Sequence, residues 1–438
     1  MNYHDSERMA GLLEREGYTS TPSAADADLV VVNTCSVRER SVDKLYSRLG
    51  EIREQTAGRA QAPIVAVTGC VAQQEGGRLL RRDRSIDVVV GTQRLKELPA
   101  LVGAVEARRA PRVDVRPHDD VSFPLGLARP SDPVRAWVTI VEGCNEFCSF
   151  CVVPYTRGHE RMRPSRDILA EVAAAARTGR REVQLLGQIV NHYQDPEDAA
   201  CDFAELLARA SDVPGIDRIR FASPHPRHAS DRLLSAIRDL PKLCKHLHLP
   251  VQSGSNRMLT AMRRRYTREE YLELVARARE AVPGITITTD MIVGFPGETD
   301  ADFEQTLDLT RRVRFAAMYS FKYSPRPNTL AMKRLADDVP EGEKARRILA
   351  LQELQRRNQS DWHQSLVGTA AEVLVDGESR RRPWELAGRT SGNTVVNFPG
   401  PAEWVGRLLP VRITEAGPNS LRGEAVVDAR VLEVAHAH

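Results

Sequence analysis

The chain has 438 residues with 62 Lys plus Arg against 59 Asp plus Glu, a formal net charge of +3. That length predicts two or three domains, and the balanced charge excludes a general polyanion binder, leaving any nucleic-acid surface local. No apolar run approaches a bilayer span and the first residues lack a signal-peptide pattern, so a cytoplasmic protein without membrane association is expected, its seven cysteines serving as ligands or core residues rather than disulfides.

Residues 1–107 alternate between helix and strand. A short helix is expected over 6–16, an apolar strand over 29–33, a helix over 37–55, and strands over 64–68 and 87–91. Strands separated by helices predict parallel pairing in an open α/β sheet. Cys35 and Cys70 each fall just past the carboxyl end of a strand, the edge where such sheets gather ligands. Burial as two structural cysteines is the alternative. Residues 108–133 carry several prolines and no periodicity, which reads as a linker.

The alternation resumes over 134–366, with strands expected at 136–141, 182–186, 218–222, 246–251, 286–293 and 316–323. Ser165 is placed to cap a helix over 167–178 that Gly179 ends, and Thr267 with Glu270 reads as a capping box. Six βα units predict a partial parallel barrel whose strand ends carry the chemistry. After a polar helix over 341–366, short strands at 370–375, 384–390, 394–398, 405–413 and 421–428 predict a small antiparallel β-barrel over 367–433. Arg380, Arg381 and Arg382 sit on its first turn, with Trp384, Phe398 and Trp404 nearby. This is an RNA surface, or a solvated turn beside core aromatics.

The segment after the first barrel strand is the most informative. Cys144, Cys148 and Cys151 form a CxxxCxxC run whose three thiolates can hold three irons of a 4Fe-4S cluster and leave the fourth open. A structural zinc site takes four ligands, and no fourth Cys or His stands at that spacing. An open iron can chelate the amino and carboxylate groups of S-adenosyl-L-methionine, whose reductive cleavage releases a 5′-deoxyadenosyl radical. Phe147 and Phe150 are placed to shield the cluster or to anchor the loop. The basic stretch Arg157, Arg161, Arg163 and Arg166 follows, able to meet nucleic-acid phosphates or the methionine carboxylate, with a solvated face the alternative for Arg163 and Arg166.

With these motifs the sequence resembles the radical-SAM methylthiotransferase family, specifically its MiaB-type tRNA-2-methylthio-N(6)-dimethylallyladenosine synthases. The matching runs include Asn2-Tyr3-His4-Asp5-Ser6-Glu7-Arg8-Met9, Val32-Asn33-Thr34-Cys35 and Cys151-Val152-Val153-Pro154-Tyr155-Thr156-Arg157-Gly158. Further matches are Leu185-Leu186-Gly187-Gln188, Ser223-Pro224-His225-Pro226, Leu247-His248-Leu249-Pro250-Val251-Gln252-Ser253-Gly254 and Ile292-Val293-Gly294-Phe295-Pro296-Gly297-Glu298-Thr299. Their shared order along nearly the whole chain is the specific signal, since any one glycine-rich piece is weak.

The resemblance implies two 4Fe-4S clusters. An auxiliary one in the first domain includes Cys35 and Cys70, and one in the barrel on Cys144, Cys148 and Cys151 binds S-adenosyl-L-methionine. The last barrel would be a TRAM domain gripping tRNA, with Arg157, Arg380, Arg381 and Arg382 as RNA contacts. The implied reaction converts N(6)-isopentenyladenosine at position 37 of tRNA to its 2-methylthio form. An electron donor and a sulfur source are expected partners, and a monomer is expected. Strand-end residues Gly187, Gln188, Gln252, Ser253, Gly254, Asp290 and Gly294 are nominated to contact S-adenosylmethionine, the glycines by allowing close backbone approach. His246 and His248 alternate along one strand and are expected to be satisfied barrel-core histidines. Other substrates within the family are threonylcarbamoyladenosine in tRNA and a ribosomal-protein aspartate. A tRNA-binding protein with a defective auxiliary cluster is the reading from another class.

Family members carry a third auxiliary cysteine in a Gly-Cys-Gln-Met-Asn motif, and the given sequence starts at its Met1-Asn2. The first domain is therefore expected to be truncated, with the missing cysteine encoded upstream; the alternative is a chain that begins here, whose auxiliary cluster has two protein thiolates and an outside ligand or does not form. Restoring that extension should raise iron from about four to about eight per chain. Equal iron with and without it would contradict the expectation. Cys201 and Cys244 are expected to be core or surface thiols rather than substitutes.

Overall fold

A computed structural model describes residues 1–35, 41–117, 132–380 and 382–426. It divides into two units, one of Met1–Ser131, Thr139–Arg163 and Ser324–Arg334, the other of Asp132–Val138, Pro164–Tyr323 and Leu335–His438. The cysteine loop therefore groups with the first α/β section.

That section runs α1 (Asn2–Arg15), β1 (Leu29–Thr34), α2 (Ser41–Thr56), β2 (Ile64–Gly69), α3 (Cys70–Glu75), α4 (Arg78–Arg82), β3 (Val88–Val90), α5 (Leu98–Ala107) and β4 (Arg112–Asp114). The strands pair in parallel in the order β1-β2-β3-β4. Central β2 is buried along its whole length, as expected of a parallel strand covered on both faces. Val65 and Val67 pack with Leu45, Leu49 and Ile52 of α2, while Ile64 and Ala66 pack with Met9 of α1 and with Leu98 and Val102 of α5. Strand β4 lies inside the expected linker. Its three residues carry too little apolar pattern to announce a strand, and pairing with β3 supplies what periodicity does not. The expected helix start at 37–40 lies outside the described residues.

The next elements are β5 (Arg135–Thr139), β6 (Val141–Glu142), α6 (Val153–Arg157), β7 (Arg161–Met162), α7 (Ser165–Arg177), β8 (Glu182–Leu186), α8 (Phe203–Ser211), β9 (Arg218–Phe221) and α9 (Asp231–Asp239). They continue with β10 (His246–His248), α10 (Asn256–Ala261), α11 (Arg268–Ala281), β11 (Thr286–Val293), α12 (Asp300–Val313), β12 (Ala317–Lys322), α13 (Leu330–Arg334) and α14 (Glu341–Ser365). Strands β5-β8-β9 and β10-β11-β12 form two three-stranded sheets, linked at their edges by the Ile219↔Leu243 bridge. These six strands are the partial barrel that the alternation predicts. The capping box of α11 is present. Ser165, by contrast, is the first helical residue of α7, and its N–H donates to the Asp195 carboxylate at 2.7 Å. The cap therefore comes from a remote acid rather than from Ser165.

Strands β13 (Ala370–Glu378), β14 (Glu385–Thr390), β15 (Val395–Pro399), β16 (Leu408–Ala416) and β17 (Leu421–Ala425) close into a barrel in the order β13-β14-β15-β17-β16. All pairings are antiparallel except β15–β17, which is parallel. Val373, Val396, Phe398 and Val411 fill it. In this second unit the small barrel is tied to the large one through buried Glu182, which accepts from Arg220 at 2.8 Å. Arg220 also donates to the Thr390 carbonyl at 2.6 Å and the Ser391 carbonyl at 3.1 Å.

Candidate metal centre

The cysteine loop is closed by its own backbone. The Cys144 N–H donates to the Gly158 carbonyl at 3.2 Å, and the Cys151 N–H to the Cys148 carbonyl at 3.0 Å. Gly143 has φ +75°, and a Cβ there would stand 2.0 Å from the His159 carbonyl oxygen, so only glycine fits where the loop's two ends touch. Cys144 is buried, and burial pushes its thiol up to about 11. Ligation must displace that proton. Phe147 is partly exposed and meets His159 edge-on at 5.9 Å. Three sulfur donors on one short closed loop fit an iron–sulfur cluster chemically. Their side chains are not drawn to one point, since among the described residues no three His, Cys, Asp or Glu groups are gathered to hold a metal ion.

Helix α1 fastens both flanks of this loop. His4 Nδ1 lies 2.9 Å from Thr139 Oγ1 ahead of it, and Arg8 pairs with Glu142 at 3.4 Å at its start. Beyond the loop, the Arg157 guanidinium donates to Asp5 Oδ2 at 2.6 Å and to Asn2 Oδ1 at 2.8 Å. Burial opposes charge on Asp5, but Arg157 outweighs it and holds the carboxyl below its usual range. Burial raises Glu142, and Arg8 offsets this in part. Arg157 is only 5% exposed. The structure thus corrects the expected RNA contact, because this guanidinium is engaged inside the protein and presents no surface to a phosphate. The Asn2–Arg8 run carries no role legible from sequence alone. Its signal was the polar spacing Asn2, His4, Asp5, Arg8 on the buried side of a helix.

Cys35 and Cys70 follow the registered pair Thr34↔Gly69, so they stand side by side at the carboxyl edge of β1 and β2. Gly69 has φ +89°, and a Cβ would fall 2.3 Å from Asn33 Oδ1. Asn33 in turn donates to the Asn2 carbonyl at 2.7 Å. Arg157 lies within electrostatic reach of Cys70. Two adjacent sulfur donors could supply part of a cluster's ligand set. Cys201 and Cys244 are buried core thiols, as expected.

The nominated cofactor residues of the second unit separate into two groups. Gly187 is buried at the end of β8, and the neighbouring Gln188 is half-buried. Asp290 is half-buried on β11, 3.4 Å from His248 Nε2. Gln252 has φ +76° and bridges β11 through its backbone, accepting from the Ile292 N–H at 2.9 Å. Ser253 is fully buried against Thr306. A Cβ on Gly254 would meet the Gln305 carbonyl at 2.4 Å, and one on Gly294 would meet Lys344 Cγ at 2.3 Å. These two glycines accommodate α12 and α14, so helix packing, rather than approach of a ligand, accounts for them. His246 and His248 share Thr288 Oγ1 at 2.9 Å each, the satisfied pair expected of them. Burial and Arg220 push His246 down to about 3. Three residues past Gln188, Asn191 is joined to the Ser223–Pro226 run: Asn191 Nδ2 donates to the His225 carbonyl at 3.0 Å, and the His225 N–H to Asn191 Oδ1 at 2.8 Å.

On the small barrel Arg380 and Arg382 are exposed, as is Trp384 at 70%, while Arg381 lies outside the described residues. Phe398 is core and Trp404 packs against it, so of the three aromatics only Trp384 remains available at the surface.

Residues 1–91 match Uncharacterized protein family UPF0004, residues 138–310 the Radical SAM superfamily and residues 364–426 the TRAM domain. A tRNA-2-methylthio-N(6)-dimethylallyladenosine synthase of Alkalilimnicola ehrlichii is 48% identical over 434 residues, covering 97% of this chain and 95% of that protein. One of Geobacter metallireducens is 47% identical, covering 98% and 96%. The chain belongs to the tRNA-2-methylthio-N(6)-dimethylallyladenosine synthase family. Among solved structures, the radical S-adenosylmethionine methyltransferase TsrM from Kitasatospora setae, with cobalamin and a 4Fe-4S cluster bound, shares the fold. It is 17% identical with a TM-score of 0.57, covering 74% of this chain and 73% of that one. The name of these relatives is that of the dimethylallyladenosine branch the resemblance implies. No helix among the described residues is long and apolar enough to cross a membrane.

Proposed function

We propose that this chain is an enzyme that converts N(6)-isopentenyladenosine at position 37 of tRNA to its 2-methylthio derivative. The observation that carries this reading is identity of 48% over 97% of the chain to a synthase of that name, together with a CxxxCxxC loop held at both flanks by α1.

Cys144, Cys148 and Cys151 would hold the cluster that binds S-adenosyl-L-methionine, and Cys35 and Cys70 would belong to the auxiliary cluster. When bound, these groups supply the radical and sulfur chemistry that modifies an unreactive aromatic C–H bond. The protein's own contribution is to fix the loop. Arg8 and Arg157 pin its two flanks to one helix, and burial keeps bulk water from Cys144. Gln188, Gln252 and Asp290 are the remaining polar groups suited to orienting S-adenosylmethionine. Arg380, Arg382 and Trp384 on the small barrel offer phosphate contacts and a stacking face to tRNA. The enzyme acts in the cytoplasm as a monomer, with an electron donor and a sulfur source as partners.

The test is anaerobic reconstitution of the full chain with iron and sulfide, followed by reduction with S-adenosylmethionine and prenylated tRNA. Formation of 5′-deoxyadenosine and of the methylthio nucleoside is expected. An iron-loaded protein that leaves S-adenosylmethionine intact would overturn the reading.

A further inference from the structure

Two buried guanidiniums of β9 grip the backbone of the small barrel. Arg218 donates to the Glu372 carbonyl at 2.7 Å and to the Arg389 carbonyl, while Arg220 donates to the carbonyls of Thr390 at 2.6 Å and Ser391 at 3.1 Å. The two arginines stand two residues apart on one strand and so share a face. Glu182 holds Arg220 in place and accepts from Arg135 at 2.5 Å, and Arg135 reaches on to Asp376 of β13 at 2.9 Å. The β14–β15 turn is seated beside them. The Ser391 hydroxyl accepts from the Lys245 N–H at 2.8 Å, and a Cβ on Gly392 would stand 2.3 Å from Thr286 Oγ1.

Arg135, Glu182, Arg218 and Thr286 are the first residues of β5, β8, β9 and β11, and Lys245 immediately precedes β10. The small barrel therefore caps the amino ends of these strands, opposite the carboxyl ends where parallel barrels carry their chemistry. Domains of one chain move against each other by default unless their interface is large and apolar. This junction is polar, yet planar donor forks of fixed geometry hold it by its main-chain carbonyls. Those carbonyls lie at one end of the β13–β14 hairpin, and exposed Arg380, Arg382 and Trp384 lie at the other. The hairpin between them is an arm about 20 Å long, so a small tilt at its base is magnified at its tip.

Resting on the reading that the small barrel holds tRNA, we infer that Arg218 and Arg220 are positioning residues that set the register of the bound RNA. Both are buried and act through the hairpin whose base they fix. Buried ion pairs add little net stability over apolar packing, so the contribution of this network is geometric. Misplacement of a reacting group by about 1 Å can cost a hundredfold in rate. An arm that cannot tilt presents one nucleotide, and not its neighbours, to the carboxyl ends of the large barrel's strands.

The experiment binds the full chain to prenylated anticodon stem-loops, each carrying one 4-thiouridine at a different loop position beside the target adenosine, and maps photocrosslinks to the large barrel. In wild type one position should dominate the yield. The double variant Arg218→Lys, Arg220→Lys keeps both charges and removes both forks. It should hold its stem-loop affinity within about twofold while its crosslinks spread to neighbouring positions. Gly392→Ala keeps every arginine and lifts the turn from Thr286, and it should spread them in the same way. All proteins are compared below their melting temperatures, and if the arginine variant does not fold, Gly392→Ala decides. A single dominant position kept by the variants, a uniform loss of affinity and yield at every position, or a wild-type pattern already spread would overturn the inference while leaving the tRNA reading intact. Absence of wild-type binding to any stem-loop would overturn the tRNA reading and this inference with it.

Discussion

Arg157 and Asp5, 152 residues apart in sequence, form a buried ion pair at 2.6 Å that joins the first helix to the segment just past the cysteine loop. Asp5 is 1% exposed and Arg157 is 5% exposed. The pair converts an N-terminal helix into a fixture of the metal loop.

Removing one partner leaves the other charged and buried. Asp5→Ala should cost about 3–5 kcal/mol in denaturant unfolding. It should also speed loss of iron from the reconstituted protein, read by chelator challenge. Asp5→Glu, which keeps the charge, should recover part of both. Unaltered stability and iron retention in Asp5→Ala would show that the pair holds nothing in place.

The cysteines differ in expected consequence. Alanine at Cys144, Cys148 or Cys151 should remove about four irons per reconstituted chain together with S-adenosylmethionine cleavage. Alanine at Cys201 should leave iron unchanged and only lower the melting temperature, since it empties a small core volume. Iron analysis of the four variants separates ligands from core thiols.

The α12 contact gives a steric prediction. Gly254→Ala places a methyl group against the Gln305 carbonyl and the Thr306 backbone. It should destabilise by about 1–3 kcal/mol. Affinity for S-adenosylmethionine, measured calorimetrically on folded protein, should stay near wild type. A selective loss of cofactor affinity at unchanged stability would restore the ligand-approach reading of this glycine.

Acid should weaken the fold before its carboxylates titrate. Burial, then Arg264 and His228, push His225 down to about 2 from 6.5, so it stays neutral in the native protein. Below pH 6.5 the unfolded chain binds a proton that the native chain refuses, and stability falls with pH down toward the folded value. At pH 5 the penalty is about 2 kcal/mol. The depressed Asp302 contributes stability above the ordinary carboxylate range that is lost only as pH falls below about 4. His246 contributes a similar loss over the same range. His225→Asn keeps an acceptor for the Arg227 N–H and should remove roughly half of the loss between pH 6.5 and 5 in thermal melts.

Periodicity in the chain announced the two sheet systems and the small barrel well, because buried strands such as 64–69 and 286–293 carry continuous apolar or alternating patterns. It missed β4, which exists through pairing with β3. The cysteine loop was legible because ligand spacing is local. The role of Arg157 was not, since a positive charge after a metal loop looks the same in sequence whether it meets RNA or a buried aspartate from the first helix. The glycines at 254 and 294 misled for a similar reason: close approach was correctly expected, but the approaching atoms belong to α12 and α14.

The central claim is most directly tested in the tRNA of a strain deleted for this gene. Nucleoside analysis should show 2-methylthio-N(6)-isopentenyladenosine absent and N(6)-isopentenyladenosine accumulated, with the modified form restored when the gene is returned. An unchanged level of the 2-methylthio nucleoside in the deletion strain would contradict the account.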